Sequence, residues 1–232
     1  ISGVLREEAR QQNRAFLHRV RTGRPFGILK WAMSLDGRTA MPNGASQWIS
    51  GPPARAWVHR LRSGMDAVVV GGGTVRGDDP LLTSRGRRSP EPLRVVLSRS
   101  LDLPNQAQLW DIAIAPTLVA YGPEADLQRL PDGPEGLALS ACEPKQLMEA
   151  LAARGCNQVL WECGPELAAA AIWQGCVQEI AAVVAPKLMG GMAARTPLAD
   201  LGFTGMDQVP CSIWRQSSPL GDDWLLRLSI DS

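Results

Sequence analysis

A carboxylate, a thiol and a glycine turn fall together at Glu162-Cys163-Gly164-Pro165. The apolar run Val159-Leu160-Trp161 before them reads as a buried strand, and a helix follows through Ala168, Ala169, Ala170, Ala171 and Ile172. A glycine beside a helix N-terminus lets a phosphate or pyrophosphate approach backbone N–H groups. A Glu at the carboxyl end of a parallel strand stands where α/β sheets bind ligands. Taken alone, the stretch fits a plain strand-to-helix turn with a solvated Glu equally well. Cys163 is a candidate nucleophile, because a helix N-terminus can lower a thiol pKa. Neither His18 nor His59 is placed to serve it as a base, and a buried structural thiol is the commoner case.

Other strand ends carry comparable groups. Lys30 interrupts the apolar run 26–33, which fits a central parallel strand. A lysine there either snorkels to water or faces a ligand pocket. Ser34-Leu35-Asp36-Gly37-Arg38 leaves that strand as a turn,. Gly71-Gly72-Gly73-Thr74-Val75 is a second glycine-rich passage from strand to helix. It matches neither the dinucleotide fingerprint nor a P-loop, which disfavours a Rossmann domain or a nucleotide hydrolase. Arg85-Gly86-Arg87-Arg88 is a basic cluster, and Gly190-Gly191 closes a later apolar run. Together these turns describe a cleft with loose backbone, scattered Arg and Lys, and one or two carboxylates. A nucleotide-cofactor enzyme needs such a cleft, since the cofactor carries the hard chemistry while the protein orients it and supplies charge.

The elements that position these groups alternate. Apolar runs predict strands over 26–33, 67–70, 93–97, 117–120, 137–139 and 179–185,. Helices are expected over 5–20, from a capping Ser50 to Ser63-Gly64, and from Glu143-Pro144 to Gly155,. The first carries an apolar stripe of Leu5, Ala9, Phe16, Leu17 and Val20,. Strands over 211–217 and 224–230 flank a Pro-Leu-Gly-Asp-Asp turn, which predicts a hairpin,. The fold class is α/β: a mostly parallel sheet with helices on both faces and a C-terminal antiparallel hairpin. At 232 residues the chain suits one large α/β domain or two small ones,. A net charge of +1 gives nucleic-acid binding no support, so any anion site must be local,. Five cysteines without a Cys-x-x-Cys pair, and two histidines, argue against zinc or a disulfide framework,. Such thiols fit a reducing cytosol. The start, Ile1-Ser2-Gly3-Val4, is neither a signal peptide nor an apolar span, and without a Met it suggests a fragment of a longer chain,.

Several motifs occur in a recognisable order. They are Arg21-Thr22-Gly23-Arg24-Pro25-Phe26, Leu29-Lys30, Ser34-Leu35-Asp36-Gly37-Arg38 and Ser46-Gln47-Trp48-Ile49. Gly73-Thr74-Val75 follows, with Asp78-Asp79-Pro80-Leu81-Leu82-Thr83-Ser84-Arg85, then Glu162-Cys163-Gly164-Pro165 and Ala185-Pro186-Lys187-Leu188-Met189-Gly190-Gly191. In these the chain resembles the reductase domain of the bacterial riboflavin-biosynthesis deaminase–reductase. The match covers nearly the whole chain and is weakest between residues 99 and 150.

The resemblance implies a dihydrofolate-reductase-like fold, with residues 1–24 as a leading helix from a missing deaminase domain and 25–232 as the reductase domain. The family's zinc deaminase motif, His-x-Glu with Pro-Cys-x-x-Cys, is absent here. The implied activity is NADPH-dependent reduction of 5-amino-6-(5-phosphoribosylamino)uracil to the ribitylamino compound, with hydride reaching ribose C1′ of an opened, imine-like sugar. It also implies a cytoplasmic homodimer with no nucleic-acid or membrane partner, and a deaminase domain or protein as companion. Carried over by position, Ala32, Trp48, Thr74 and Asp78 look like cofactor contacts. The turn Gly164, Pro165, Glu166, Leu167, Ala168, Ala169 and Ala170 looks like a pyrophosphate cradle. Ser46, Arg62, Leu82, Arg85 and Glu162 look like substrate contacts, with Arg62 and Arg85 suited to fork a ribose 5-phosphate. Lys30 and Asp36 would lie beside nicotinamide and sugar, and Lys30, Asp36 and Glu162 are the candidate catalytic residues. No metal is implied. Ser98-Arg99 departs from the family's usual Asp-Ser pair, although Arg99 could still meet the NADPH 2′-phosphate. Two alternatives stay open: reduction of the undeaminated diaminopyrimidinone, and a reductase-like binding module that has lost catalysis.

Overall fold

The computed structural model describes residues 3–230, so the outermost residues of the two segments assigned above, 1–2 and 231–232, lie outside the described residues. The parallel strands are β1 (Phe26–Ser34), β2 (Ala67–Gly71), β3 (Leu93–Leu97), β4 (Thr117–Tyr121), β5 (Glu135–Ala138), β6 (Gln158–Trp161) and β7 (Glu179–Ala185). Most are apolar without alternation because helices cover both faces of the sheet. The order is β5-β4-β3-β2-β6-β1-β7-β9-β8. β9 (Asp223–Ile230) runs antiparallel to β7, and β8 (Ser212–Leu220) antiparallel to β9. Leu220 pairs with Asp223, so the hairpin loop is only Gly221-Asp222, shorter than the expected turn. Gly221 takes the left-handed φ of +71° that such a loop requires,.

Side chains alternate across the sheet with period two. Leu29, Val69, Val95, Val159 and Trp161 point to one face, where α5 (Pro144–Ala153) and α6 (Pro165–Trp173) cover them. Ile28, Val68, Val70, Val96 and Leu160 point to the other, under α3 (Pro52–Ser63) and α4 (Gly72–Asp78). Gly27 marks the tightest approach of strand and turn. A Cβ there would stand 1.9 Å from the Cys176 carbonyl oxygen and 2.9 Å from its carbon. Both are backbone atoms, so the strand itself would have to move. Gly27→Ala is therefore expected to cost about 3 kcal/mol, the upper end of ordinary overpacking. A urea midpoint equal to that of the parent chain would refute this close approach.

Two local expectations need correction. The leading segment is two helices, α1 (Arg6–Gln12) and α2 (Arg14–Thr22), because Asn13 turns its side-chain amide onto the Ala9 carbonyl at 2.9 Å,. Their apolar stripe is not buried: Leu5, Phe16, Leu17 and Val20 are all exposed. Cations hold α2 instead. Arg14 pairs with buried Glu179 at 2.6 Å and lies over the Phe26 ring, while Arg19 donates to Ala152 O, Gly155 O and Asn157 Oδ1. Ser50 does not cap α3 either. The N-cap is Gly51, whose N–H donates to Asp223 Oδ2 at 2.7 Å, tying the helix start to the hairpin.

Candidate active site

Strand register builds the centre of the site. β1 continues past the end of β6, with Leu29 level with Trp161. Lys30 is thus level with Glu162, and the period of two sends both toward the α3 face. Lys30 Nζ lies 3.6 Å from Glu162 Oε2. From α3, Arg62 grips the same carboxylate with two donors, Nε to Oε1 at 2.6 Å and Nη2 to Oε2 at 3.1 Å. Its third nitrogen, Nη1, donates to Thr83 O at 3.1 Å. These side chains keep only 10–15 % of their exposure, so their charges interact through little water,. Burial opposes ionisation of Glu162, yet Arg62 and Lys30 outweigh it and hold the carboxyl down to about 2. For Lys30 burial is the largest influence; with Arg62 it lowers the ammonium pKa against the pull of Glu162. The centre therefore holds a fixed carboxylate beside a lysine that releases its proton more readily than usual.

The cluster opens into a cleft of about 1910 Å³ along the carboxyl ends of β1, β2, β3 and β6. A pocket for one drug-sized ligand occupies about 300–1,000 Å³, so two ligands fit side by side. On the far side of Glu162 the cleft reaches the N-terminus of α6. The Ala168 N–H is taken by the Gly164 carbonyl at 3.0 Å, and Pro165 has no N–H. The donors that the helix start leaves free are those of Glu166 and Leu167. A Cβ on Gly164 would meet nothing within 4 Å, and its φ of −69° suits any residue. Neither backbone strain nor packing requires this glycine, so the bare Cα serves the cleft. Cys163 also borders the cleft, but burial pushes its thiol up to about 12, which removes it as a nucleophile.

Most residues singled out from the sequence line this one cleft: Lys30, Ala32, Ser46, Trp48, Arg62, Thr74, Asp78, Leu82, Arg85, Arg99, Glu162, Gly164, Pro165, Glu166, Leu167 and Ala170. Ser46 donates to Asp78 at 3.1 Å, joining an expected substrate contact to an expected cofactor contact. Arg55 stacks over the Trp48 ring at 4.6 Å. Asp36, Ala168 and Ala169 are not among the lining residues. Asp36 is a clasp: its carboxylate accepts from Ser34 Oγ and from the N–H groups of Met189 and Gly190, and these hold its pKa near 2. Ala168 and Ala169 are buried on the inner side of α6. Arg62 spends three of its five N–H groups on Glu162 and Thr83 O, so it holds the carboxylate and keeps two donors for a ligand,.

A family model described as the RibD C-terminal domain matches residues 25–225. The chain belongs to that family. It is 48 % identical over 227 residues to a riboflavin biosynthesis protein RibD of Synechocystis, covering 96 % of this chain and 62 % of the relative. A deaminase/5-amino-6-(5-phosphoribosylamino)uracil reductase structure from Thermotoga maritima superposes with a TM-score of 0.86 at 28 % identity, over 99 % of this chain and 63 % of that one. Dihydrofolate reductase of Enterococcus faecalis shares the fold alone, at a TM-score of 0.52 and 12 % identity over 89 % of this chain and 97 % of that one. The chain thus spans under two thirds of the RibD relatives it matches.

In this RibD-type domain the cleft also holds residues that sequence reasoning passed over. His59 lies one helical turn before Arg62 on the same side of α3, and Arg55 one turn before His59. Spacing of three to four residues from Arg62 was the available signal. Lys187 donates to the Trp48 carbonyl at 2.6 Å, securing the loop that carries Ser46 and Trp48. Among the described residues no group of three His, Cys, Asp or Glu side chains could hold a metal ion, and no helix is long and apolar enough to cross a membrane.

Proposed function

We propose that this chain reduces 5-amino-6-(5-phosphoribosylamino)uracil with NADPH, giving the ribitylamino product. The observation that carries the reading is the buried Lys30–Glu162–Arg62 cluster, set beside the open N-terminus of α6 in a cleft with room for two ligands. The residues present fit a dinucleotide. Gly164 offers a Cα that no protein atom crowds, Glu166 and Leu167 offer N–H groups, and Ala32, Trp48, Thr74 and Asp78 form the neighbouring wall. Arg99, exposed at the end of β3 on the cleft rim, is the cation for a 2′-phosphate,. NADPH would supply the hydride.

The chain's own residues do the rest. Glu162 stays ionised, so it is no proton donor; it fixes Lys30 and Arg62 and presents negative charge to the pyrimidine N–H groups. Lys30 holds the proton that the imine nitrogen needs as C1′ gains hydride, and its lowered pKa favours release,. Asp36 acts through the Met189–Gly190 turn it clasps, and Ala168 and Ala169 support the cradle from inside the helix. Ser46, Leu82 and Arg85 complete the substrate side of the cleft.

The exposed face of α1 and α2 suits cover by a deaminase domain, making residues 1–24 its connector and 25–232 the reductase. Ile213, Trp214 and Trp224, exposed on the edge hairpin, suit a second copy of the chain,. The free cysteines suit the cytoplasm,. The deciding experiment mixes protein, NADPH and the deaminated substrate and follows the nicotinamide absorbance, with the undeaminated pyrimidine in a parallel arm. No oxidation at micromolar enzyme sinks the reading, while faster turnover of the undeaminated pyrimidine changes the substrate. Titrating NADPH against tryptophan fluorescence separates a dead binding module, because Trp31 and Trp48 line the cleft. Gly164→Val is expected to leave folding nearly intact but raise the NADPH KM about tenfold or more, since close backbone approach is what the bare Cα allows. An unchanged KM would move the dinucleotide away from this turn.

A further inference from the structure

The loop between α4 and β3 carries three left-handed residues that are not glycine: Asp79, Leu82 and Arg85, with φ of +39°, +54° and +60°. A residue with a Cβ rarely adopts that conformation, and it persists only where its surroundings hold it. Leu82 is held by burial. Asp79 is held by Gln108, whose N–H donates to Asp79 Oδ1 at 2.8 Å and whose side-chain amide donates to the Asp79 carbonyl at 2.6 Å. Arg85 is exposed on the cleft wall, so packing does not fix it. Its backbone is bracketed instead. The Ser84 N–H donates to Glu91 Oε2 at 2.6 Å, and the Gly86 N–H donates to Glu91 Oε1 at 3.0 Å. One carboxylate thus grips the residues on both sides of Arg85. Arg62 pins the same turn from the cleft side, through Thr83 O at 3.1 Å.

We propose that Glu91 is a positioning residue for the reductase reaction: its carboxylate keeps residue 85 left-handed, and so keeps the Arg85 side chain on the cleft wall. The inference rests on the reductase reading above, in which Arg85 contacts the substrate. Glu91 itself is not among the residues that line the cleft, so it acts only through the turn it grips. Burial opposes its ionisation, but the N–H groups of Ser84 and Gly86 and the charge of Arg62 hold its pKa below the ordinary carboxylate value. The clasp is therefore ionised at neutral pH. A carboxylate suits the task because it offers an acceptor to each N–H and carries no hydrogen of its own; an amide of the same shape must turn its N–H₂ toward one of the two donors. Charge-assisted bonds of this kind are about twice as strong as neutral ones. Without them residue 85 relaxes toward an ordinary φ and its guanidinium leaves the wall. Ala32, Thr74 and Gly164 stand on β1, α4 and the start of α6, so the cofactor side does not depend on this clasp.

The test uses the full chain with Glu91→Gln, Arg85→Ala and the double variant, and reads two quantities. The first is the rate of tryptic cleavage within Arg85-Gly86-Arg87-Arg88, a basic turn that the clasp should protect. Glu91→Gln is expected to speed it about tenfold, as local opening becomes easier. The second is steady-state turnover. Glu91→Gln is expected to raise the pyrimidine KM about five- to tenfold while kcat stays within about threefold and the NADPH KM within about twofold. In the Arg85→Ala background the same substitution should raise the pyrimidine KM no further, because no guanidinium is left to place. An unchanged cleavage rate, an unchanged pyrimidine KM, a parallel rise in the NADPH KM, or additive effects in the double variant would each overturn the proposal. If Glu91→Gln fails to fold, Glu91→Asp carries the same comparison: it keeps the charge but withdraws the carboxylate by one methylene, too short to hold both N–H groups. Failure of the reductase reading shows separately, as no NADPH oxidation by the parent chain with either pyrimidine, whatever the cleavage rates.

Discussion

Glu162→Gln will leave the chain folded but clearly less stable. The substitution removes one of the two oxygens that Arg62 grips and puts an amide N–H₂ against Arg62 or Lys30. Two buried cations then share one neutral acceptor. Removing one partner from a buried pair costs about 3–5 kcal/mol, and the residual exposure of this cluster favours the lower figure. For a domain of this size that is a fall of about 6–12 °C in Tm. The pH dependence gives an independent check. The folded carboxyl is held down to about 2 against an ordinary value of 4.5. A depressed acid contributes stability that is present above its unfolded value and lost as pH falls toward its folded one. The shift corresponds to about 3 kcal/mol. The parent chain should therefore weaken between roughly pH 5 and 2 with a slope that Glu162→Gln largely lacks. Equal acid limbs would show that the ion pairs do not form in solution.

Lys30→Met should separate chemistry from folding. Methionine is near in volume and unbranched, and Glu162 keeps both bonds from Arg62, so stability is expected to stay within about 1.5 kcal/mol of the parent. Turnover should fall by about 10²–10⁴, the contribution of a positioned proton donor. Lys30→Arg sharpens the point, because guanidinium keeps the charge but cannot give up its proton in the working range. If the lysine only orients substrate by charge, Lys30→Arg recovers most activity; if it transfers a proton, the variant stays near the methionine level. A donor must be protonated, so kcat should decline as pH rises through the lysine pKa, which burial places below 10.5. Turnover of Lys30→Met within about fivefold of the parent would remove Lys30 from the chemistry.

Much of the framework is legible in the sequence. Runs such as 67–70 and 159–161 are apolar without alternation, and only strands buried on both faces need that,. Gly164-Pro165 and Glu143-Pro144 marked helix starts because proline fits the first turn. The departures from local pattern share one cause. Leu5, Phe16, Leu17 and Val20 form a helical stripe, but a stripe does not say which side of a helix meets the protein. Arg14 and Arg19 found buried carboxylate and carbonyl partners, so the polar side went inward. Ser50 had the right chemistry for a cap, but the Asp223 carboxylate, brought from the hairpin, took the Gly51 N–H.

The sequence by itself determined the α/β alternation and the glycine turns at the strand ends, which follow from short-range spacing. The resemblance to the reductase family, and not spacing, marked Arg62, Asp78, Arg85 and Arg99. The tertiary structure decided how those charges pair. Register set Lys30 level with Glu162, Arg62 became the keeper of that carboxylate, Asp36 became a clasp, and His59 entered the cleft. The reason is geometric. Residue spacing sets the face on which a side chain lies, whereas strand order and register set what stands opposite it, and the energy of a buried charge depends on the latter.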